Sequence, residues 1–196
     1  MYRKNEGADS EHRMKRGKLF VLSGPSGVGK GTLREHALNN APNLKYSISC
    51  TTRKPREGET DGIEYRFIER TKFQEYISQG LFLEYAHVHE DYYGTLKRDV
   101  MSELEAGHDV LLEIDVQGAL QVKEKMPEAV LIFVAPPSVE ILTQRLKGRG
   151  TENAESLNVR LSNALKEIAL KDKYDYVIVN DDLNSACDEL RKIILS

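Results

Sequence analysis

Apolar positions along the chain fall into two alternating kinds of segment. Leu19-Phe20-Val21-Leu22, Val110-Leu111-Leu112 with Ile114, and Val130 to Ala135 are short, unbroken apolar runs. Such runs predict strands of a parallel sheet covered on both faces. Between them, apolar residues recur three and four apart, the period of a helix. One helix starts at Lys30, buries Leu33 and Ala37 and ends before Pro42. A second places Val116, Ala119 and Leu120 on one face. A third follows Pro136-Pro137, with Ser138 as N-cap and Val139, Leu142 and Leu146 inward. A fourth carries Leu157, Leu161, Ala164, Leu165 and Ile168, and a closing helix buries Leu183, Ala186, Cys187, Leu190 and Ile194. Lys45 to Ser49 and Tyr176 to Val179 predict two further strands. Strands alternating with helices predict an α/β domain over residues 17–196, three layers around a central parallel sheet.

Two segments depart from this rhythm. Met1 to Arg16 shows no apolar periodicity and reads as a disordered, solvated tail. About 60 residues separate Ser49 from the apolar run at Val110, whereas a crossover between parallel strands needs only about a dozen. That stretch has elements of its own. Glu64 to Ile68 and Leu81 to Val88 predict strands, and Phe73, Tyr76 and Ile77 mark a short helix closed by Gly80. Residues 49–98 are therefore expected to form an inserted mixed α/β lobe, with residues 17–48 and 99–196 as the core. Gly148-Arg149-Gly150 interrupts the helical pattern and suggests a lid segment at about 148–160.

The first strand runs into Gly24-Pro25-Ser26-Gly27-Val28-Gly29-Lys30-Gly31-Thr32 and directly on into a helix. Glycines let the backbone curl so that several N–H groups converge on an anion. The helix N-terminus adds positive potential at the same point, and Lys30 supplies a mobile cation suited to phosphate oxygens. This stretch predicts a bound nucleoside triphosphate with its Mg²⁺. One position differs from the usual pattern. A hydroxyl residue is expected after the lysine, to reach the metal, but Gly31 stands there and Thr32 follows. No direct protein ligand to a metal is assigned. Lys-Gly-Thr resembles the loop of adenylate-kinase-like enzymes and points towards nucleoside monophosphate kinases.

A net charge of −3 and a pI near 6.0 exclude a strongly basic surface, so neither nucleic acid nor membrane is expected as a partner. With no signal peptide and no membrane-length apolar run, a cytoplasmic setting is expected. Cys50 and Cys187 lie in no metal-ligand spacing and read as structural. His87 and His89 alternate along a predicted strand and read as surface residues rather than metal ligands.

The inserted lobe carries the acceptor chemistry. Arg53 and Arg56 lie three apart around a turn-forming Lys54-Pro55, and guanidinium forks match phosphate oxygens. Tyr65 and Tyr93 can add neutral donors. Glu84 falls inside the apolar run Phe82 to Ala86, where a carboxylate needs donor partners. Guanine presents N1–H and N2–H₂ side by side and matches one carboxylate, whereas adenine presents an acceptor where guanine has N1–H. Thr95 offers a hydroxyl for guanine O6. Asp115 follows the carboxyl end of its strand, where sites form in such sheets.

These residues together resemble the guanylate kinase family. The resemblance runs from Lys18 to Leu195 and rests on several segments. They are Gly24 to Thr32, Ser47 to Tyr65, Glu84 to Ala86, Tyr92 to Thr95, Glu113 to Gly118, Ala135 to Ser138, Gly148 to Thr151 and Val179 to Asp182. It implies the fold of a three-layer P-loop nucleotide kinase with a GMP-binding insertion and a lid. Further, it implies that Ser49, Arg53, Arg56, Tyr65 and Tyr93 hold the GMP phosphate or its surroundings. Glu84, Thr95 and Asp115 would read the guanine, with Glu113 in the same GMP-binding set. Lys30 and residues 24–32 would hold the ATP phosphates, and Asn180 would lie on the ATP side. Arg145, Arg149 and Arg160 would close over the transferring group, with Lys30 and Asp115 completing the catalytic set. The implied reaction is reversible transfer of the ATP γ-phosphoryl group to GMP, by a monomer or homodimer. A kinase for another monophosphate and a non-catalytic binding module of the same fold are the alternatives.

Overall fold

The computed structural model describes residues 15–88, 90–148 and 154–196, with side chains in the last segment from residue 157 onward. The chain opens with β1 (Leu19–Ser23), α1 (Lys30–Asn40) and β2 (Leu44–Tyr46). The inserted stretch holds β3 (Cys50–Thr51), β4 (Arg66–Phe67), α2 (Arg70–Ser78), β5 (Phe82–Val88) and β6 (Asp91–Leu96). After α3 (Lys97–Glu105) come β7 (Asp109–Glu113), α4 (Val116–Lys125), β8 (Val130–Ala135) and α5 (Val139–Lys147). Then follow α6 (Ala154–Ile168), a 3₁₀ turn at Lys171–Lys173, β9 (Tyr176–Val179) and α7 (Leu183–Leu195).

Two sheets form. The first has the order β2-β7-β1-β8-β9 and is parallel throughout. Its pleat sends alternate residues of β1 to opposite faces. Leu19 and Val21 pack with Val100, Leu104, Val116, Ala119 and Val122, under α3 and α4. Phe20 and Leu22 pack with Leu33, Ala37, Ala186, Cys187 and Leu190, under α1 and α7. The three-layer expectation is realised in this way. The second sheet, β4-β3-β6-β5, is mixed, with β3 parallel to β4 and antiparallel to β6. It has a small core of its own, Cys50, Phe73, Phe82 and Leu96.

Several expectations need correction. The strand expected over Lys45–Ser49 is Leu44–Tyr46, because from Ser47 onward the chain leaves the first sheet for the second. Val139, Leu165 and Leu183 were expected inward but are exposed, at the ends and rims of their helices. β9 is an edge strand in which only Ile178 is buried. β3, β6 and α3 were not expected from the sequence. In β6, Asp91-Tyr92-Tyr93-Gly94-Thr95-Leu96, neither alternation nor an apolar run marks the strand, and pairing with β5 makes it one. Val100 and Leu104, four apart and both buried, carry a helical signal for α3 that was legible.

Candidate active site

The carboxyl ends of β1, β7 and β9 lie along one edge of the parallel sheet, the edge where ligands bind in such folds. From β1 the chain turns sharply through Gly24, with φ +141. A Cβ there would lie 2.3 Å from the Val134 carbonyl oxygen, so the loop runs tight against β8. Gly29, with φ +97, is the residue before α1, and a Cβ on it would meet Asn180 Nδ2 at 2.5 Å. Only glycine meets both demands, the positive φ and the close approach. Asn180 is buried and its Nδ2 donates to the Val28 carbonyl at 2.8 Å. The side chain expected on the ATP side is thus a strut beneath the phosphate loop.

Lys30 curls back over the loop, donating to the carbonyls of Gly24 at 2.6 Å and Pro25 at 3.0 Å. Arg160, on α6, donates to Ser26 Oγ at 2.8 Å. Arg145 donates to the Asn180 carbonyl at 3.1 Å. Lys30 and Arg160 therefore meet the loop and Arg145 is joined to it through Asn180, while Arg149 lies outside the described residues. Asp115 caps α4, its Oδ1 accepting from the Gly118 N–H at 2.8 Å. Burial pushes its pKa up, against the pull of those amides and of Lys30. Glu167, near the end of α6, was not singled out in the sequence. Burial raises it to about 7, with the Lys30 charge opposing.

The acceptor lobe is built around a buried polar row. Glu84 on β5 pairs in register with Thr95 on β6. The register shifts between Phe82 and Glu84, which breaks the alternation and leaves Phe82, Leu83 and Glu84 all buried. Thr95 Oγ1 donates to Glu84 Oε1 at 2.6 Å, and Ser49 Oγ lies 3.3 Å from Thr95 Oγ1. In the ligand-free protein the Thr95 proton is thus directed at Glu84. Burial, with Asp115 adding to it, raises the Glu84 carboxyl to about 7, while Thr95 and Lys125 oppose the shift. A Cβ on Gly118 would lie 2.3 Å from Glu84 Oε2, so α4 runs close over the carboxylate at this glycine. Gln121 holds α4 to the same strand by a double hydrogen bond with the Tyr85 backbone, and Lys125 donates to the Leu83 carbonyl.

Elsewhere in the lobe, Arg53 lies 5.4 Å from the Tyr65 ring centroid, and the Tyr65 and Tyr93 rings meet edge-on at 5.8 Å. Its guanidinium grips Glu59 through two 2.9 Å hydrogen bonds. Arg56 is exposed in the following turn. Glu113, at the end of β7, pairs with Arg34 Nη1 at 2.9 Å, and that guanidinium lies 4.9 Å from the Tyr46 ring centroid. Arg34 and Glu59 were not among the residues expected from sequence. A charged residue on α1 or in a polar loop carries no periodic signal. Cys50 is buried, and burial pushes its thiol up to about 11, which removes it as a nucleophile at neutral pH.

A parallel sheet whose first strand ends in a glycine-rich loop under Lys30, with a second, mixed sheet holding a buried carboxylate-hydroxyl row, defines a P-loop kinase fold. The guanylate kinase family model matches residues 16–196. A guanylate kinase of Clostridioides difficile (strain 630) is 50% identical over 183 residues, covering 93% of this chain and 89% of that protein. One from Caldanaerobacter subterraneus is 50% identical over 182 residues, covering 93% and 88%. The crystal structure of guanylate kinase from Anaplasma phagocytophilum superposes with a TM-score of 0.77 at 35% identity, covering 92% of this chain and 86% of that one. The chain belongs to the guanylate kinase family.

Proposed function

We propose that this chain transfers the γ-phosphoryl group of ATP to GMP, giving ADP and GDP, that it runs in both directions, and that it accepts dGMP. The buried row Glu84–Thr95–Ser49 carries this reading. A carboxylate 2% exposed is costly without donors, and the paired N–H groups of a guanine edge supply them.

The nucleophile is a GMP phosphate oxygen, already anionic near neutral pH, so no general base is required. That oxygen bonds to the γ-phosphorus as the bond to the β–γ bridging oxygen breaks, and ADP leaves with the electron pair. The protein's contribution is positioning and charge neutralisation. The loop amides of residues 24–32 and Lys30 bind the donor phosphates, and Asn180 holds the loop in shape. Arg145, Arg160 and Arg149 neutralise the transferring group. Ser49, Arg53, Arg56, Tyr65 and Tyr93 hold the acceptor phosphate, and Glu113 orders Arg34 beside that site.

Among the described residues no cluster of three metal-ligating side chains forms, and Gly31 brings no hydroxyl. This donor set fits a Mg²⁺ that arrives on ATP, held mainly by phosphates and water, with Asp115 as the carboxylate to orient its water. When bound, the ion would offset charge on the β- and γ-phosphates. Among the described residues no helix is long and apolar enough to cross a membrane. The acidic net charge supports a protein that works in the cytoplasm on small nucleotides, without nucleic acid, as a monomer or homodimer.

Charge reversal tests the guanine assignment. Glu84→Lys is expected to abolish phosphoryl transfer to GMP while ATP affinity stays within about twofold of wild type. Unchanged GMP kinetics would overturn it.

A further inference from the structure

Arg53 has five N–H donors. Nη1 donates to Glu59 Oε2 at 2.9 Å and to the Lys54 carbonyl at 2.9 Å. Nη2 donates to Glu59 Oε1 at 2.9 Å. That is an end-on fork, both terminal nitrogens on one carboxylate, and it fixes the plane of the guanidinium. The Tyr65 and Phe67 rings border that plane, with centroids 5.4 and 5.6 Å away. Nε–H and the second N–H of Nη2 are not among these bonds. They lie side by side along the remaining edge and suit a second bidentate partner. The Tyr93 side chain hydrogen-bonds the same guanidinium and borders that edge.

Glu59 has a second attachment. Its Oε2 accepts from the Arg56 N–H at 2.7 Å, while its own N–H donates to the Arg56 carbonyl at 3.1 Å. The turn Arg56-Glu57-Gly58-Glu59 is closed at both ends by one residue, with Gly58 at φ +84 supplying the bend. One carboxylate therefore sets both the guanidinium plane of Arg53 and the turn that carries Arg56. The Arg53 and Arg56 donors hold the Glu59 carboxyl well below the usual carboxylate range, at about 2, so it remains charged throughout the working pH range.

We infer that Glu59 is a positioning residue for the acceptor phosphate: it presets Arg53 so that the Nε–Nη2 edge is presented to phosphate, and it fixes the turn bearing Arg56. The inference rests on the proposed placement of the GMP phosphate at these arginines. An ordered cation has less freedom to lose when the ligand binds, so its loss is read in acceptor affinity.

The test is a double-mutant cycle on GMP affinity, measured by calorimetry with wild type, Glu59→Gln, Arg53→Met and the double variant. Glu59→Gln keeps the shape but removes the charge and one acceptor oxygen. It is expected to weaken GMP about 10-fold or more, from the loss of charge-assisted hydrogen bonds, while ATP affinity stays within about twofold. Arg53→Met should weaken GMP as well, and Glu59→Gln, whose amide oxygen can still accept from the Arg56 N–H and keep the turn, should then add less than about twofold. An unchanged or tighter GMP affinity in Glu59→Gln, with Arg53→Met weakened, overturns the inference and leaves the site assignment standing. An equal penalty in both backgrounds also overturns it, because Glu59 then acts independently of Arg53. Wild-type GMP affinity in Arg53→Met would instead remove the site assignment itself. Should Glu59→Gln fail to fold, the wild-type Arg53 guanidinium resonances carry the test. Separate Nη signals in slow exchange are expected, and a single averaged signal contradicts the fork.

Discussion

Ionising Glu84 in the ligand-free protein means charging a carboxyl that is 2% exposed. Its pKa rises from 4.5 to about 7, on the order of 3 kcal/mol against the charged form. Burial is the main cause and the Asp115 charge adds to it; the Thr95 hydroxyl and Lys125 recover part. The folded pKa lies above the unfolded one, so stability falls as pH rises from about 4.5 through about 7. Glu84→Gln is therefore expected to stabilise the ligand-free protein by about 1–3 kcal/mol at pH 8 and to change little at pH 4.5, read by urea unfolding at both values. An equal effect at both pH values would mean that ionisation is not the source. On the proposed guanine assignment the carboxylate serves ligand recognition at a cost to the fold, the trade seen where function requires a buried charge. At this scale the sequence was informative where residue type sets chemistry: a carboxylate in an apolar run, a lysine behind glycines, two arginines around a turn. It was silent on partners. Glu59 and Arg34 gain their place only when the fold brings them against Arg53 and Glu113.

Each element delivers its site residue for a reason written in its own packing. β5 turns Glu84 inward because its register shifts after Phe82. α4 runs close over that carboxylate at Gly118, and Gln121 fastens the helix to the strand. The acceptor sheet depends on a core of four buried residues in which Phe73 stacks on Phe82 at 4.5 Å and lies 5.4 Å from Tyr92. So small a core loses most of its cohesion with one ring. Phe73→Ala is expected to cost about 3–5 kcal/mol, concentrated in the lobe as local unfolding. GMP binding should then be lost while ATP binding at the phosphate loop stays within about twofold, measured by calorimetry with each nucleotide. Parallel loss of both would show that lobe and core stand or fall together. The central strands β1, β7 and β8 were legible because they are buried on both faces and read as unbroken apolar runs. β3 and β6 were not, because a two-residue strand and a Tyr-Tyr-Gly-Thr strand owe their form to neighbours rather than to pattern.

Across the whole molecule, the two regions proposed to bind phosphate belong to different sheets. The parallel sheet presents Lys30, Arg145 and Arg160 around the loop. The mixed sheet presents Arg53, Arg56 and the Glu84–Thr95 row. α4 joins them, since its N-cap is Asp115 and its body is fastened to β5. α3 adds a second join through the Arg66–Asp99 ion pair. The alternation of runs and helices made the three-layer core readable from the chain. The excess length between Ser49 and Val110 marked an inserted lobe, but the side-chain pairs that dock it, Gln121 with Tyr85 and Arg66 with Asp99, carry no periodic signal. The central claim is that one site holds ATP and the other selects guanine. The most direct measurement is ADP release with ATP and Mg²⁺, supplying GMP, dGMP, AMP, CMP and UMP in turn. The account predicts release with GMP and dGMP alone. Release with AMP, CMP or UMP at a comparable rate, or none with GMP from folded protein that binds it, would contradict the account.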